Sequence, residues 1–179
     1  MDLVAGCIKQ DVKAQKQFYK TYYKMVYNSC FRILPNPMDA EDCMQEAFIK
    51  AFNKINTLKD MPVEAWLRRI AINTALDKLK QEKMIWEDIK EQHYAYIDEI
   101  SDEDCTEWQV EQVKFAITKL SEAFRIVLNL YLFEGYDHKE IAEILNQKET
   151  TVRSQYARAK QQLIEIIKKE HILCVSKNI

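Results

Sequence analysis

Apolar positions recur at helical spacing along three long segments in the first half of the chain. The first segment predicts a helix over about 9–34, which the run Pro35-Asn36-Pro37 ends. Asn36 is the expected cap of the second helix, and Pro37 suits its first position. The apolar stripe of that helix is Ala47, Phe48, Ala51, Phe52 and Ile55. The third helix starts near Glu64, after a polar loop over 56–63, and its stripe is Leu67, Ala71, Ala75 and Leu79, widened by Trp66 and Ile70.

Helical spacing returns in the second half, after a stretch over 83–108 that has no clear periodicity. Helices are predicted over about 107–119 and 122–134, and Gly135 stops the second of them in a left-handed conformation. Asp137 and Glu140 have the spacing of a capping box for a short helix. A break over 146–148 precedes a last helix over about 150–169.

Composition supports an all-α fold. The 179 residues include 2 Gly and 3 Pro, too few for a sheet with many tight turns. We therefore predict two small helical domains, a bundle over 1–82 and a helix-turn-helix domain over 109–179, joined by a linker over 83–108.

Charge divides the chain in the same way. The formal net charge is -2, but residues 1–81 carry 13 Lys/Arg and 9 Asp/Glu, whereas residues 82–111 carry 2 and 11, and residues 112–179 carry 11 and 8. Two mildly basic blocks therefore flank a strongly acidic linker. Such asymmetry favours partners of opposite charge for the separate segments.

Five scattered cysteines, none in a C-x-x-C pair, indicate free thiols in a reducing cytoplasm. The run Val4-Ala5-Gly6-Cys7 has the form of a lipoprotein cleavage box, but no basic and apolar leader precedes it. No apolar run approaches the roughly 20 residues that span a bilayer. We expect a cytoplasmic protein.

A short capped helix, a turn and a longer helix form the helix-turn-helix pattern, whose second helix lies in the major groove of DNA. The last helix has two distinct faces. Its apolar face is Val152, Tyr156, Ala159 and Leu163, and its polar face is Thr150, Arg153, Ser154, Ala157 and Arg158. The arginines suit bidentate bonds to guanine or phosphate. A solvated face on an ordinary helical hairpin is the alternative explanation.

Enzymatic chemistry has little support in the sequence. The three histidines are isolated, and neither a metal-ligand spacing nor a glycine-rich phosphate loop is present. Within Asp137-His138-Lys139-Glu140, capping explains the two acids, and the other two side chains are expected in solvent. We predict no catalytic residue, no metal site and no cofactor.

Three motifs, in order, resemble those of the extracytoplasmic-function (group IV) RNA polymerase sigma factors. The run Asp39–Phe48 (DAEDCMQEAF) is similar to the family's D-A-E-D-x-x-Q-E-x-F, and Trp66–Asn73 (WLRRIAIN) to its W-L-x-R-I-A-x-N. The segments 133–136 (FEGY), 140–145 (EIAEIL) and 151–154 (TVRS) resemble region 4. The resemblance covers nearly the whole chain.

The resemblance implies that the N-terminal bundle is sigma region 2. Contacts with a coiled coil of the largest polymerase subunit are then expected from Asp39, Asp42, Gln45 and Glu46. Region 2 also captures the melted −10 strand, with a flipped base held by the loop before the third helix. The residues that this role implies are Asn56, Thr57, Lys59, Asp60, Arg69, Asn73 and Lys80.

The resemblance also implies that region 4 reads the −35 duplex and meets the polymerase flap. The implied DNA contacts are Thr150, Thr151, Arg153, Ser154, Ala157 and Arg158. An acidic linker suits a basic polymerase channel, with a solvated spacer as the alternative. The family further implies an anti-sigma factor, membrane-linked in some cases, as a partner.

The turn departs from the family's L-G-I-S, since it reads Leu145-Asn146-Gln147-Lys148. Asn146 tolerates the left-handed conformation that Gly supplies, but the start of the recognition helix, and any base contact by Glu149 or Thr150, stays open. Two other functions fit parts of the pattern: a stand-alone helix-turn-helix regulator, and a helical interaction protein that does not bind DNA.

Overall fold

A computed structural model describes residues 3–58, 61–86, 113 and 115–177, with the side chains of the two longest helices described as far as residues 81 and 169. Every regular element within these ranges is helical, which confirms the all-α prediction. The chain divides into two compact units, residues 1–95 and 96–179. The predicted linker lies mostly outside the described residues, as does the start of the helix predicted over 107–119.

The first unit is a helical bundle. Its elements are α1 (Leu3–Ile8), α2 (Val12–Ile33), α3 (Pro37–Lys54), a 3-10 turn (Ile55–Thr57) and α4 (Val63–Trp86). Helices α2, α3 and α4 pack against one another in all three pairs, and α1 packs on α2 and on the 3-10 turn.

The first predicted helix, over about 9–34, corresponds to α2, and α1 is an additional helix that precedes it. Gln10 adopts a positive φ of 59°, which interrupts the helical backbone. The Asp11 side chain then caps α2 by accepting a hydrogen bond from the Lys13 N–H at 2.8 Å. Asn36 caps α3 in the same way through Met38, at 2.9 Å, and Pro37 occupies the first turn, so that prediction is confirmed.

The core of the bundle is built around Phe18, which is fully buried. Its ring makes edge contacts with Tyr22, Phe48 and Phe52 at centroid distances of 4.8, 6.5 and 5.8 Å. The predicted apolar stripes of the second and third helices also contribute to this core, and their buried members are Ala47, Phe48, Ala51, Ile55, Leu67, Ala71 and Ala75. Ile72 and Leu76 are buried as well, so the apolar face of α4 is wider than predicted.

Cys7 and Gly6 belong to this packed interior. The Cys7 side chain is 2% exposed, and burial, followed by the charge of Asp11, raises the pKa of its thiol. Helix α1 is therefore part of the bundle. The small and apolar residues of Val4–Cys7, which resemble a cleavage box, are explained by the packing of α1 in this bundle.

The second unit contains α5 (Glu122–Leu132), α6 (His138–Leu145) and α7 (Glu149–Lys177), preceded by helical residues at 115–118. Helix α5 ends two residues earlier than predicted, and α7 runs eight residues further. Gly135 has the predicted positive φ, 77°. The core joins the segment before α5 to α5 and α7 through Ala116, Ile117, Leu120, Leu128, Ala159 and Leu163.

Within the described part of the chain, no helix is both long and apolar enough to cross a membrane.

Candidate nucleic-acid interface

Helices α6 and α7 form the predicted helix-turn-helix. The Asp137 side chain accepts a hydrogen bond from the Glu140 N–H at 2.8 Å, and the Glu140 side chain accepts one from the Asp137 N–H at 2.9 Å. Both halves of the capping box are therefore present, as predicted. This reciprocal bonding satisfies two amides at the start of α6 and fixes where the motif begins.

The unusual turn preserves the geometry that a glycine normally gives. Asn146 is left-handed, with φ 53° and ψ 49°. Its N–H donates to the Glu143 carbonyl at 3.3 Å, and the Gln147 N–H donates to the Ala142 carbonyl at 2.9 Å, the two bonds of a Schellman motif. The sequence alone did not determine at which residue the next helix starts. The structure places it at Glu149, where the Lys148 carbonyl accepts from Thr151 and Val152.

The two faces of α7 separate as its sequence indicates. Val152 and Ala159 are fully buried, Leu163 is 8% exposed, and Tyr156 is half-buried. Every residue proposed to meet the −35 duplex is exposed: Thr150, Thr151, Arg153, Ser154, Ala157 and Arg158. We call these six side chains the reading face.

Three aromatic rings join the helices beneath the reading face. The Tyr131, His138 and Tyr156 centroids lie 4.5 to 5.1 Å apart in every pair, one ring from each of α5, α6 and α7. Burial, followed by the interaction with Tyr131, raises the pKa of Tyr156. The expectation that His138 is solvated was wrong, because its ring is half-buried between two tyrosines that are distant in sequence.

Arg153 is paired within its own helix. Its Nε and Nη2 both donate to Oε1 of Glu149, at 2.9 and 2.6 Å. Arg158 instead borders a shallow cleft of about 260 Å³ lined by Phe124, Arg158, Gln161, Gln162 and Glu165. The two arginines of the reading face therefore have different surroundings.

The residues proposed to contact polymerase lie on α3. Gln45 and Glu46 are exposed, and the Asp42 side chain is 71% exposed. Asp39 is partly covered, because Lys78 from α4 approaches it: Lys78 Nζ lies 3.8 Å from the Asp39 carboxylate and donates to the Asp39 carbonyl at 3.2 Å. The same Nζ lies 4.0 Å from Oδ2 of Asp42.

A second lysine accompanies Glu46. Lys50 Nζ lies 2.7 Å from the Glu46 carboxylate and donates to Oγ1 of Thr74 at 3.3 Å. A polar cleft of about 280 Å³ separates α3 from α4 at this point, lined by Glu46, Lys50, Thr74, Asp77, Lys78, Lys80 and Gln81. The ion pair between Glu46 and Lys50 could be predicted from the sequence, because the two residues are one helical turn apart. The contact between Lys78 and Asp39 could not be predicted in this way, because 39 positions separate the two residues.

The loop proposed to hold a flipped base is only partly described. Asn56 and Thr57 are exposed in the 3-10 turn, where the Thr57 hydroxyl donates to the Lys54 carbonyl at 2.7 Å. Lys59 and Asp60 lie outside the described residues. The loop predicted from Asn56 onward therefore begins within a 3-10 turn, Ile55–Thr57.

The other residues proposed for the −10 strand share one side of α4. Arg69, Asn73 and Lys80 are exposed, with Asp77 between them, while Leu67, Ala71 and Ala75 are buried. The structure brings these polar residues onto one surface, as their spacing predicts.

Comparison with protein families finds two matches in the order that the motifs suggest. Sigma-70 region 2 matches residues 18–84, and Sigma-70, region 4 matches residues 111–163.

Several curated relatives of this chain are ECF RNA polymerase sigma factors. The chain is similar to the ECF RNA polymerase sigma-E factor of Escherichia coli, with 30% identity over an alignment of 171 positions that covers 89% of this chain and 89% of that protein. It is 28% identical to the ECF RNA polymerase sigma factor SigW of Bacillus subtilis, over 87% of this chain and 89% of the relative. With SigE of Mycolicibacterium smegmatis it shares 31% identity over 80% of this chain, but it spans only 58% of that protein.

Two solved structures share the fold. One is the sigma factor RpoE in complex with the anti-sigma factor NepR from Bartonella quintana, with a TM-score of 0.63, 22% identity, and coverage of 88% of this chain and 98% of that one. The other is CnrH in complex with the cytosolic domain of CnrY, with a TM-score of 0.55, 20% identity, and coverage of 93% and 96%.

Proposed function

Because the chain belongs to the ECF sigma factors of the sigma-70 family, we propose that it directs the core RNA polymerase of a bacterium to specific promoters. The observation that carries this proposal is the joint presence of region 2 and region 4, in order, with an exposed reading face on the second helix of the helix-turn-helix. Initiation factors of this kind act by binding, in the cytoplasm, and require no catalytic group of their own.

The reading face supports recognition of the −35 element as duplex DNA. Arg153 and Arg158 offer guanidinium groups for guanine, Ser154 and the two threonines offer hydroxyls, and Ala157 permits close approach to a thymine methyl. The buried face of α7 is held by the core of the second unit. A rigidly held helix presents its exposed side chains in a fixed register, which sequence reading requires.

We assign capture of the melted −10 strand to the first unit. Arg69, Asn73 and Lys80 offer a polar track along α4, and Asn56 and Thr57 offer exposed polar side chains in the 3-10 turn before it. Lys59 and Asp60 complete the proposed loop. Cationic tracks of this type follow the backbone of single strands.

Contact with the core enzyme is assigned to Asp39, Asp42, Gln45 and Glu46. Acidic and amide groups on one helix side suit a basic coiled coil, and Asp42 is the acid with the greatest described exposure. Lys50 and Lys78 partly neutralise these acids in the free protein. A basic partner surface has to displace or share those ion pairs.

We further propose domain limits of 1–82 and 109–179, an acidic linker over 83–108 that follows a basic polymerase channel, contact between region 4 and the flap, and control by an anti-sigma factor. The last assignment is supported by the structural match to RpoE of Bartonella quintana, a sigma factor in complex with the anti-sigma factor NepR.

In-vitro transcription with core polymerase on a promoter library tests the proposal. We expect initiation at a defined set of promoters only when the chain and core enzyme are both present. Replacing Arg153 and Arg158 by Ala should abolish selection at the −35 element, and a chain with Glu143→Ala, an exposed residue of α6, serves as a control. Specific binding to duplex DNA without core enzyme would instead indicate a stand-alone regulator, and initiation on no template would contradict the proposal.

A further inference from the structure

Glu149 begins the recognition helix one turn before Arg153 and pairs with it. Two nitrogens of the guanidinium donate to a single carboxylate oxygen, at 2.9 and 2.6 Å. The pair is nevertheless accessible, since the Arg153 and Glu149 side chains are 67% and 41% exposed. An acid thus lies at the front of a reading face that otherwise carries cations and hydroxyls.

The contact engages one particular edge of the guanidinium group. The N–H of Nε and one N–H of Nη2 point in the same direction and form the side edge, and both go to Glu149. Nη1 and the second N–H of Nη2 form the end edge, which Glu149 leaves accessible. Two parallel N–H groups on one edge are what O6 and N7 of guanine accept in the major groove.

We propose that Glu149 determines sequence selectivity by positioning Arg153. It holds the side edge, so that the end edge points outward for a base, and its negative charge weakens the attraction between this arginine and phosphate. Phosphate contacts fix position but carry no sequence information. An arginine without this restraint has two edges and its full charge available for the backbone, which favours non-specific binding.

This inference rests on the proposed function, because it assumes that α7 reads duplex DNA. A simpler role for the pair is to strengthen the first turn of α7, as ion pairs four residues apart do on any helix. The two roles differ in one measurable respect. A purely structural pair has no effect on the ratio of promoter binding to non-specific binding once the chain is folded.

The test uses holoenzyme assembled from the full chain and core polymerase. Binding is measured on a promoter duplex recovered from the library, on duplexes with single replacements of its −35 guanines, and on an unrelated duplex, each over a range of salt concentrations. The variants are Glu149→Ala, which removes the contact, and Glu149→Gln, whose amide oxygen still accepts both N–H groups but carries no charge. Glu143→Ala is the control for loss of one acid elsewhere in the same unit.

A bidentate arginine discriminates a guanine by about 5- to 150-fold. We call the affinity for the promoter duplex divided by the affinity for a duplex with one −35 guanine replaced the base ratio. We expect Glu149→Ala to lower the base ratio by about 3- to 10-fold at one −35 guanine. The same variant should steepen the dependence of log K on log salt by up to about 0.9, because one phosphate contact is added. Glu149→Gln should keep the base ratio close to that of the unmodified chain while binding the unrelated duplex more tightly. The control variant should change neither quantity.

Two results would overturn the inference: an unchanged base ratio in Glu149→Ala, or an equal loss of the ratio in Glu149→Ala and Glu149→Gln. Failure of the proposed function is recognised separately, because the unmodified chain would then direct initiation on no template, and the role of Arg153 itself is tested with Arg153→Ala. If that variant discriminates all −35 bases as well as the unmodified holoenzyme does, α7 does not read the duplex through Arg153. If Arg153→Ala loses discrimination and Glu149→Ala keeps it, only the role of Glu149 is rejected.

Discussion

Gly6 contacts Ala14 so closely that no side chain fits between them. A Cβ placed on Gly6 would lie 2.5 Å from the Ala14 Cβ, far inside normal contact distance. The absence of a side chain at Gly6 therefore lets α1 lie directly on α2, and brings Cys7 into the interior. Since α1 also packs on the 3-10 turn that carries Asn56 and Thr57, a single small residue supports part of the proposed −10 surface.

Replacing Gly6 by Ala should loosen α1. Overpacking costs about 1–3 kcal/mol, which exceeds the gain of roughly 1 kcal/mol that Ala has over Gly within a helix. Amide hydrogen exchange should show lost protection across α1. The double variant Gly6→Ala, Ala14→Gly removes the clashing atom and should recover protection. Equal protection in the single variant and the unmodified chain would contradict the close packing.

At this scale the sequence predicts the side chains whose partners are near in sequence. Asn36, Asp137 and Glu140 were all predicted as caps, because a cap bonds to amides two or three residues away. His138 and Lys78 were not placed, because the rings and acids that they meet belong to other helices. Only packing of those helices creates the contacts, and no local pattern encodes them.

The turn between α6 and α7 is the element that orients the reading face. Asn146 adopts the left-handed conformation there, and its amide and that of Gln147 bond back to α6. The aromatic group Tyr131, His138 and Tyr156 then joins α5, α6 and α7. Turn geometry and ring packing together determine the direction in which α7 leaves the turn.

Asn146→Ala should destabilise the helix-turn-helix by about 1–2 kcal/mol, the cost of the left-handed conformation for a residue with an ordinary Cβ. Asn146→Gly should retain or increase the stability, because Gly adopts this conformation without strain. Hydrogen exchange of the α6 and α7 amides measures both effects within the second unit. A loss of protection in the Gly variant as large as in the Ala variant would show that the Asn side chain, and not the backbone, stabilises the turn.

At the scale of the whole molecule, two mildly basic blocks of sequence, residues 1–81 and 112–179, flank an acidic segment over residues 82–111. The first unit also presents acids on α3, moderated by lysines from α3 and α4. This distribution suits a protein that meets nucleic acid and a basic protein surface in one assembly. Net charge alone, at -2, would have concealed it.

Asp42→Ala should weaken binding of the chain to core polymerase by about 5- to 10-fold, the loss typical of a residue that contributes more than 1 kcal/mol to an interface. Lys78→Ala should have the opposite effect, since it leaves the carboxylates of Asp39 and Asp42 with one cation fewer nearby. Affinity for fluorescently labelled core enzyme measures both. Glu41→Ala removes an exposed acid next in sequence and serves as the control, and a loss for Glu41→Ala equal to that for Asp42→Ala would argue against a specific α3 contact.

The sequence by itself determined the helical class, the caps formed by Asn36, Asp137 and Glu140, the left-handed Asn146 and the two faces of α7. These features depend on spacing and on bonds between near neighbours, so the order of residues suffices to specify them. Only the tertiary structure decided that α1 packs on α2 through Gly6, that His138 lies between two tyrosines and that Lys78 reaches the acids of α3. Those contacts join residues of different helices and exist only once the helices have packed. The proposed orientation of the Arg153 end edge depends on both the sequence and the tertiary structure. The four-residue spacing lets Glu149 pair with Arg153, and the packing of α7 decides which side of that helix faces outward.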